Sequence, residues 1–157
     1  MTIEPNSIEI SFPSDLEIEL TTIFNHPIET VFAAHSQIEH VSKTFATFGE
    51  TVTKCEIDLR VGGKYHYVMV TPQGVECSFR GEFLQIEEPH LMQQTWIFDG
   101  WAGVEAIETM TFEAANTGTR YTWNLSFANE TDRAYFSKTE GIESNFKVMH
   151  EYLKTIS

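Results

Sequence analysis

Apolar and polar positions alternate in short runs along most of the chain, and only near its end does the period lengthen to that of a helix. Residues 7–12 (SIEISF) and 16–23 (LEIELTTI) alternate strictly, with Pro13-Ser14-Asp15 as the turn between them. Pro27 then suits a first helical turn and Glu29 its dipole, with Ile28, Val31 and Phe32 falling on one side. A second short helix is predicted from Ser36, with Ile38 and Val41 inward, ending across Thr44 to Gly49. Strands are predicted at about 51–58, 63–71, 75–86, 91–98, 104–113 and 119–128. Gly62-Gly63, Thr71-Pro72-Gln73-Gly74 and Asn116-Thr117-Gly118 supply tight turns among them. Asn129 to Ser137 reads as a short helix, and Gly141 loosens the join to the next. There Ile142, Phe146, Met149, Leu153 and Ile156 step by four, three, four and three. That stripe predicts one helix over 142–156, with Glu143, Lys147, His150, Glu151 and Lys154 mostly turned away.

These elements describe an α+β domain spanning 1–157, in which residues 1–15 form an extra N-terminal segment. A curved antiparallel sheet with one apolar face needs a cover, and the last helix has the long apolar stripe to provide it. Curvature holds such a helix off the sheet at one end, so a cavity is expected between them. The strand at 7–12 is expected to pair along an exposed edge or across a homodimer.

Composition narrows the function. Twenty-three Asp and Glu against ten Lys and Arg give a formal net charge of −13, which repels phosphate backbones and anionic headgroups. Nucleic acid and membrane surfaces are therefore excluded as expected partners. No run approaches the ~20 apolar residues of a membrane span. The N-terminus lacks a basic and an apolar export region, so the expected compartment is the cytoplasm. Cys55 and Cys77 are too few and too far apart for a zinc motif or a redox pair.

Several motifs together resemble one family. They are Phe24 to Val31 (FNHPIETV), Cys55 to Tyr65 around Leu59-Arg60-Val61-Gly62-Gly63, and Phe79-Arg80-Gly81. Phe98-Asp99-Gly100-Trp101, Met110-Thr111-Phe112-Glu113 and Gly141 to Phe146 complete the set. Over about residues 16–156 the chain resembles the helix-grip (START-like, SRPBCC) superfamily, in the branch named for the activator of the heat-shock protein 90 ATPase. The resemblance implies a helix-grip fold, a curved antiparallel sheet wrapped around a long C-terminal helix, with two short helices after the first core strand. It implies an apolar small molecule, lipid-like or aromatic, in the cavity between sheet and helix. It implies no fixed catalytic set, no cofactor and no metal. Where such proteins often carry Trp near the end of the first helix this chain has His35. Where a Trp-Trp pair is common it has Thr44-Phe45.

Strand parity then names the cavity wall. Tyr65, Tyr67 and Met69 share one face, alternating with Lys64, His66 and Val68. Cys77, Phe79 and Phe83 face the same way, as do Gln94, Trp96 and Phe98. So do Met110 with Phe112, and Tyr121, Trp123, Leu125 and Phe127. Phe32, His35, Phe146 and Met149 are contributed by helices, and Phe45 and Phe48 by the stretch at the pocket mouth. For each, the plainer reading is core packing. His66, on the outward parity, is expected to be solvated.

Polar candidates are few. Glu108 shares the parity of Ala106, Met110 and Phe112, which aims a carboxylate at the cavity. Buried there it would have a raised pKa and could serve as an acid or base. The plainer reading places it at the open rim or pairs it with Arg80 or Arg120. His35 is the second acid–base candidate, and Gln94 could orient a ligand. His35, Glu39 and His40 do not form the spacing of a helical metal site. Three functions follow. The leading one is small-molecule binding. The second is a cyclase or dehydratase using Glu108 or His35. The third is a co-chaperone stimulating the heat-shock protein 90 ATPase, weighed down because such activators carry a further domain in front.

Overall fold

The computed structural model describes residues 7–46, 49–116, 118–137 and 143–156. In chain order the elements are β1 (Ile8–Ser11), β2 (Glu17–Phe24), α1 (Ile28–Ser36), α2 (Ile38–Thr44), β3 (Thr51–Ile57), β4 (Lys64–Val70), β5 (Glu76–Glu87), β6 (Leu91–Phe98), β7 (Ala106–Ala115), β8 (Gly118–Phe127), α3 (Glu130–Ser137) and α4 (Ser144–Ile156). The eight strands form one antiparallel sheet ordered β1-β2-β8-β7-β6-β5-β4-β3. This is the helix-grip architecture. β1 adds an edge strand, Ile8 opposite Thr22 and Ser11 opposite Glu19. Phe48, Thr117, Gly141 and Ile142, which entered the sequence reading, lie outside the described residues.

Turns form where backbone constraints were predicted. Gly62 adopts φ +85°, and a Cβ on Gly63 would stand 2.1 Å from the Asp58 carbonyl oxygen, so that pair tolerates no side chain. Phe83 exchanges backbone bonds with both glycines, 2.9 Å each, tying the β3–β4 turn to β5.

Phe112, Leu20, Leu125 and Leu153 are fully buried, and Phe24, Phe32, Phe146 and Met149 nearly so. Phe146 of α4 approaches Tyr121 with ring centroids 5.5 Å apart, while Phe32 of α1 meets Phe112 at 5.1 Å. α3 covers the neighbouring area through Phe136, which lies 5.8 Å from Trp96 and 5.4 Å from Phe127.

Ile38, expected inward, is 45% exposed, and Ile156, the last residue of the predicted stripe, is 36% exposed because it lies at the free end of α4; two histidines differ as well. His150 is 9% exposed and points inward, its ring 4.3 Å from Phe24. Position 150 follows Phe146 by one turn, so it flanks the apolar stripe instead of opposing it. Its Nε2 lies 2.9 Å from Thr22 Oγ1, which donates to the Ser7 carbonyl at 2.6 Å and so fixes the ring nitrogen as donor. His66 is half-buried and bonded to Ser78 Oγ at 2.8 Å, a diagonal contact across β4 and β5, since Ser78 stands opposite Val68.

Candidate functional site

Cross-strand register assembles the site. One row running across the concave face reads Ile18, Leu125, Glu108, Gln94 and Phe83. Ile18 and Leu125 are fully buried, Phe83 is 2% exposed and Gln94 4% exposed. A carboxylate is the one charged group in this row. Burying it unpaired would cost several kcal/mol.

Its partners are neutral. Gln94 Nε2 donates to Glu108 Oε1 at 2.8 Å, and Trp123 Nε1 donates to Oε2 at 2.5 Å. Arg80, an expected partner, instead donates its Nε to Asp99 at 2.9 and 3.2 Å. Arg120, the other expected partner, stands on the opposite parity to Tyr121, on the outer face, opposite Glu113 in β7. The expectation of an arginine salt bridge is thus corrected: the carboxylate is held by an amide and an indole. Burial raises the Glu108 pKa, partly offset by the bonds from Trp123 and Gln94. Burial, with the Glu108 charge added, also raises the pKa of Tyr65, Tyr67 and Tyr121, so the three hydroxyls keep their protons. Gln94 Oε1 is buried and, among the described residues, has no hydrogen-bond partner.

Around this cluster the face is aromatic and only half-buried. Tyr67, Phe79, Trp96, Phe98 and Trp123 all keep some accessible surface, as does Glu108. Phe98 stacks on Phe79 at 4.8 Å, and Phe45 stacks on Tyr67 at 5.0 Å. Tyr65 is buried and its hydroxyl donates to the Thr95 carbonyl at 2.7 Å. Met110 and Met69 are buried, Met110 beside Trp123 and Met69 opposite Cys77 towards the far end of β4.

The remaining sequence candidates lie elsewhere. Phe32, His35, Phe146 and Met149 join the packed part of the face. His35 stacks on Tyr121 at 4.3 Å and bonds through Nδ1 to the Val31 carbonyl at 2.7 Å. Burial lowers its pKa to about 4, so it is neutral at pH 7 and a poor proton donor. Two concavities, of about 510 and 450 Å³, lie along α4. The first is lined by Ile8, Glu143, Lys147, His150, Glu151 and Lys154, and the second by Lys147, Val148, Glu151, Tyr152 and Thr155. Neither is lined by the residues that face the expected ligand cavity. Among the described residues no three His, Cys, Asp or Glu side chains converge as a metal site requires.

The family model described as Activator of Hsp90 ATPase homolog 1-like protein matches residues 25–154. The chain belongs to this family. Similar solved structures agree on the fold. A protein from Rhodobacter sphaeroides superposes with TM-score 0.88 at 19% identity, covering 96% of this chain and 100% of its own. One from Nitrosomonas europaea gives 0.82 at 20%, covering 94% and 99%. The AHSA1 protein from Silicibacter pomeroyi gives 0.77 at 20%, covering 90% and 99%. No curated protein matches the chain.

Two residues of one motif are explained by this geometry. Asp99 of the Phe-Asp-Gly-Trp element is held below the usual carboxylate range by a bond from Ser78 and by Arg80. A Cβ on Gly100 would lie 2.5 Å from the Phe98 ring, so the glycine lets that ring fold under the turn. Sequence reasoning missed Met92, Ile86 and Phe136. A register shift between Phe83 and Gln85 reverses parity in β5, bringing Ile86 opposite Met92. No residue type at 83–86 announced it. Phe136 is the apolar residue of α3 that reaches Trp96, Trp123 and Phe127, a signal present in the sequence.

Proposed function

We propose that this protein binds an apolar small molecule, lipid-like or aromatic, against the concave face around Glu108. One observation carries the reading: half-buried aromatic rings adjoin a carboxylate and an amide oxygen that, among the described residues, have respectively no cationic partner and no hydrogen-bond partner. Such a mixture of apolar wall and a few convergent polar atoms is what ligand sites are made of. The ligand would displace water from Tyr67, Trp96, Phe98 and Trp123 and add its own surface to the core. Two free cysteines support a reducing, cytoplasmic setting. Native mass spectrometry of the purified protein should detect a co-purified small molecule. Alongside it, the indole NMR signals of Trp96 and Trp123 should shift with an apolar fragment panel. No adduct and unmoved indole signals would end the reading.

A cyclase or dehydratase activity is the second reading, favoured by the raised pKa of Glu108 alone. It expects Glu108→Gln to abolish turnover while leaving ligand retention nearly normal. The co-chaperone reading draws on the family description, and adding the protein to a heat-shock protein 90 ATPase assay tests it: an unchanged rate rejects it.

A further inference from the structure

We infer that the ligand accepted at this face carries a protonated amine on its apolar body, an inference that rests on the binding reading above. The reason is a surplus of acceptors. An ionised carboxylate accepts at about four lone-pair sites and donates none. Glu108 fills one site with Gln94 Nε2 and one with Trp123 Nε1. Among the described residues Gln94 Oε1, on a side chain 4% exposed, has no hydrogen-bond partner. Nearby donors are committed: the Trp123 N–H to Glu108, and the Tyr65 hydroxyl to the Thr95 carbonyl. The patch therefore asks for hydrogens.

Among ligand head groups an ammonium fits best, with three donors and no acceptor. It also supplies the countercharge that neither arginine provides, since Arg80 is engaged by Asp99 and Arg120 stands on the outer face. Aromatic faces at Tyr67 and Trp96 favour a cation further. A hydroxyl would satisfy one acceptor and leave the charge uncompensated. An acid would meet acceptors, a like charge and the field of a chain with net charge −13.

Three naphthalene probes separate these cases: 1-naphthylmethylamine, 1-naphthalenemethanol and 1-naphthoate, titrated calorimetrically at pH 7 in 0.15 M salt. The amine should bind about tenfold or more tighter than the alcohol, with the naphthoate weakest. Glu108→Gln should bring amine and alcohol within about threefold of each other. Equal binding of amine and alcohol by the unaltered protein would overturn the inference and leave the binding reading standing. So would an amine preference undiminished in Glu108→Gln, since the overall charge would then be its source. Failure of all three probes would sink the binding reading itself. Should Glu108→Gln not fold, the unaltered protein's amine-to-alcohol ratio at 0.05 and 0.5 M salt decides. A sheltered pair keeps its preference, and attraction to the surface loses it.

Discussion

The concave face has two halves built from the same strands. Beneath α1 and α4, the rings of Phe24, Phe32, Phe112, Tyr121 and Phe146 pack without accessible surface of consequence. Beneath α3, Trp96 and Trp123 remain half-buried, and so do Phe79 and Phe98 next to Trp96. Aromatic content does not separate the halves, and neither does strand parity. Their covers do. α4 offers four inward side chains, Phe146, Met149, His150 and Leu153, whereas α3 has no buried residue and reaches the face mainly through Phe136. A sheet face becomes core where a long apolar stripe lies on it, and becomes a site where it does not.

If that contrast is real, equivalent truncations should differ most. Phe112→Ala, in the packed half, should cost about 3–5 kcal/mol in urea denaturation. Phe98→Ala, in the open half, should cost about 1 kcal/mol, because much of its surface already meets water. Similar losses at the two positions would erase the distinction.

Acid should attack the packed half next. Burial lowers the pKa of both His35 and His150 to about 4, with Lys154 and His26 reinforcing the effect at His150 and Glu151 opposing it. Since the unfolded value is near 6.5, stability is full above that pH. It is lost as pH falls towards 4, because the unfolded chain takes up protons first. Allowing for solvent screening, the pair should cost on the order of 2–4 kcal/mol between pH 7 and 4. Denaturation midpoints in a variant lacking these two histidines (His35→Phe with His150→Gln) should show a flatter profile over that window.

A smaller effect sharpens the comparison at the edge of the packed half. Thr22→Val removes both the acceptor of His150 and the donor to Ser7, at about 1–3 kcal/mol by thermal unfolding. A neutral result would mean that water replaces the hydroxyl.

The smallest change should have the opposite sign. Glu108 is raised in the folded protein, so its contribution to stability is full below the unfolded carboxylate value and falls as pH rises through the folded one. Glu108→Gln should therefore raise the melting temperature at pH 7 to 8 and lose that advantage near pH 4. Gln94 can turn its free Oε1 towards the new amide, though this moves its own NH2 into the buried position that Oε1 held. Destabilisation at pH 8 would show that the charge is welcome where it stands.

Much of this was legible in the sequence because parity and turn chemistry are local. The strands, the Gly62-Gly63 turn, the edge strand β1 and the inward aim of Glu108 and Gln94 all follow from residues a few positions apart. What escaped depends on distant partners. Whether Arg80 meets Glu108 or Asp99 is decided by how β5 and β6 pair, and the shift after Phe83 that exposes Ile86 to the core is set by that same pairing. His150 was misjudged because its environment comes from β2, more than a hundred residues earlier in the chain. The difference between the two halves of the face was invisible for a related reason: it belongs to the helices that cover them.

The pairing of β2 with β8 also governs how the molecule comes into being. Residues 17–24 hydrogen-bond to residues 119–126, so β2 must wait for a strand made about a hundred residues later. Until β8 emerges, Ile18 and Leu20 have no neighbour on their inner side, and α1 has no floor at Phe112 and Tyr121. Until then β2 can pair only with β1, and the inner apolar face of that hairpin stays exposed to whatever else is nearby. Closing so long a loop places folding in the millisecond-to-second range expected of non-local β topologies, with the meander from β3 to β7 free to form beforehand.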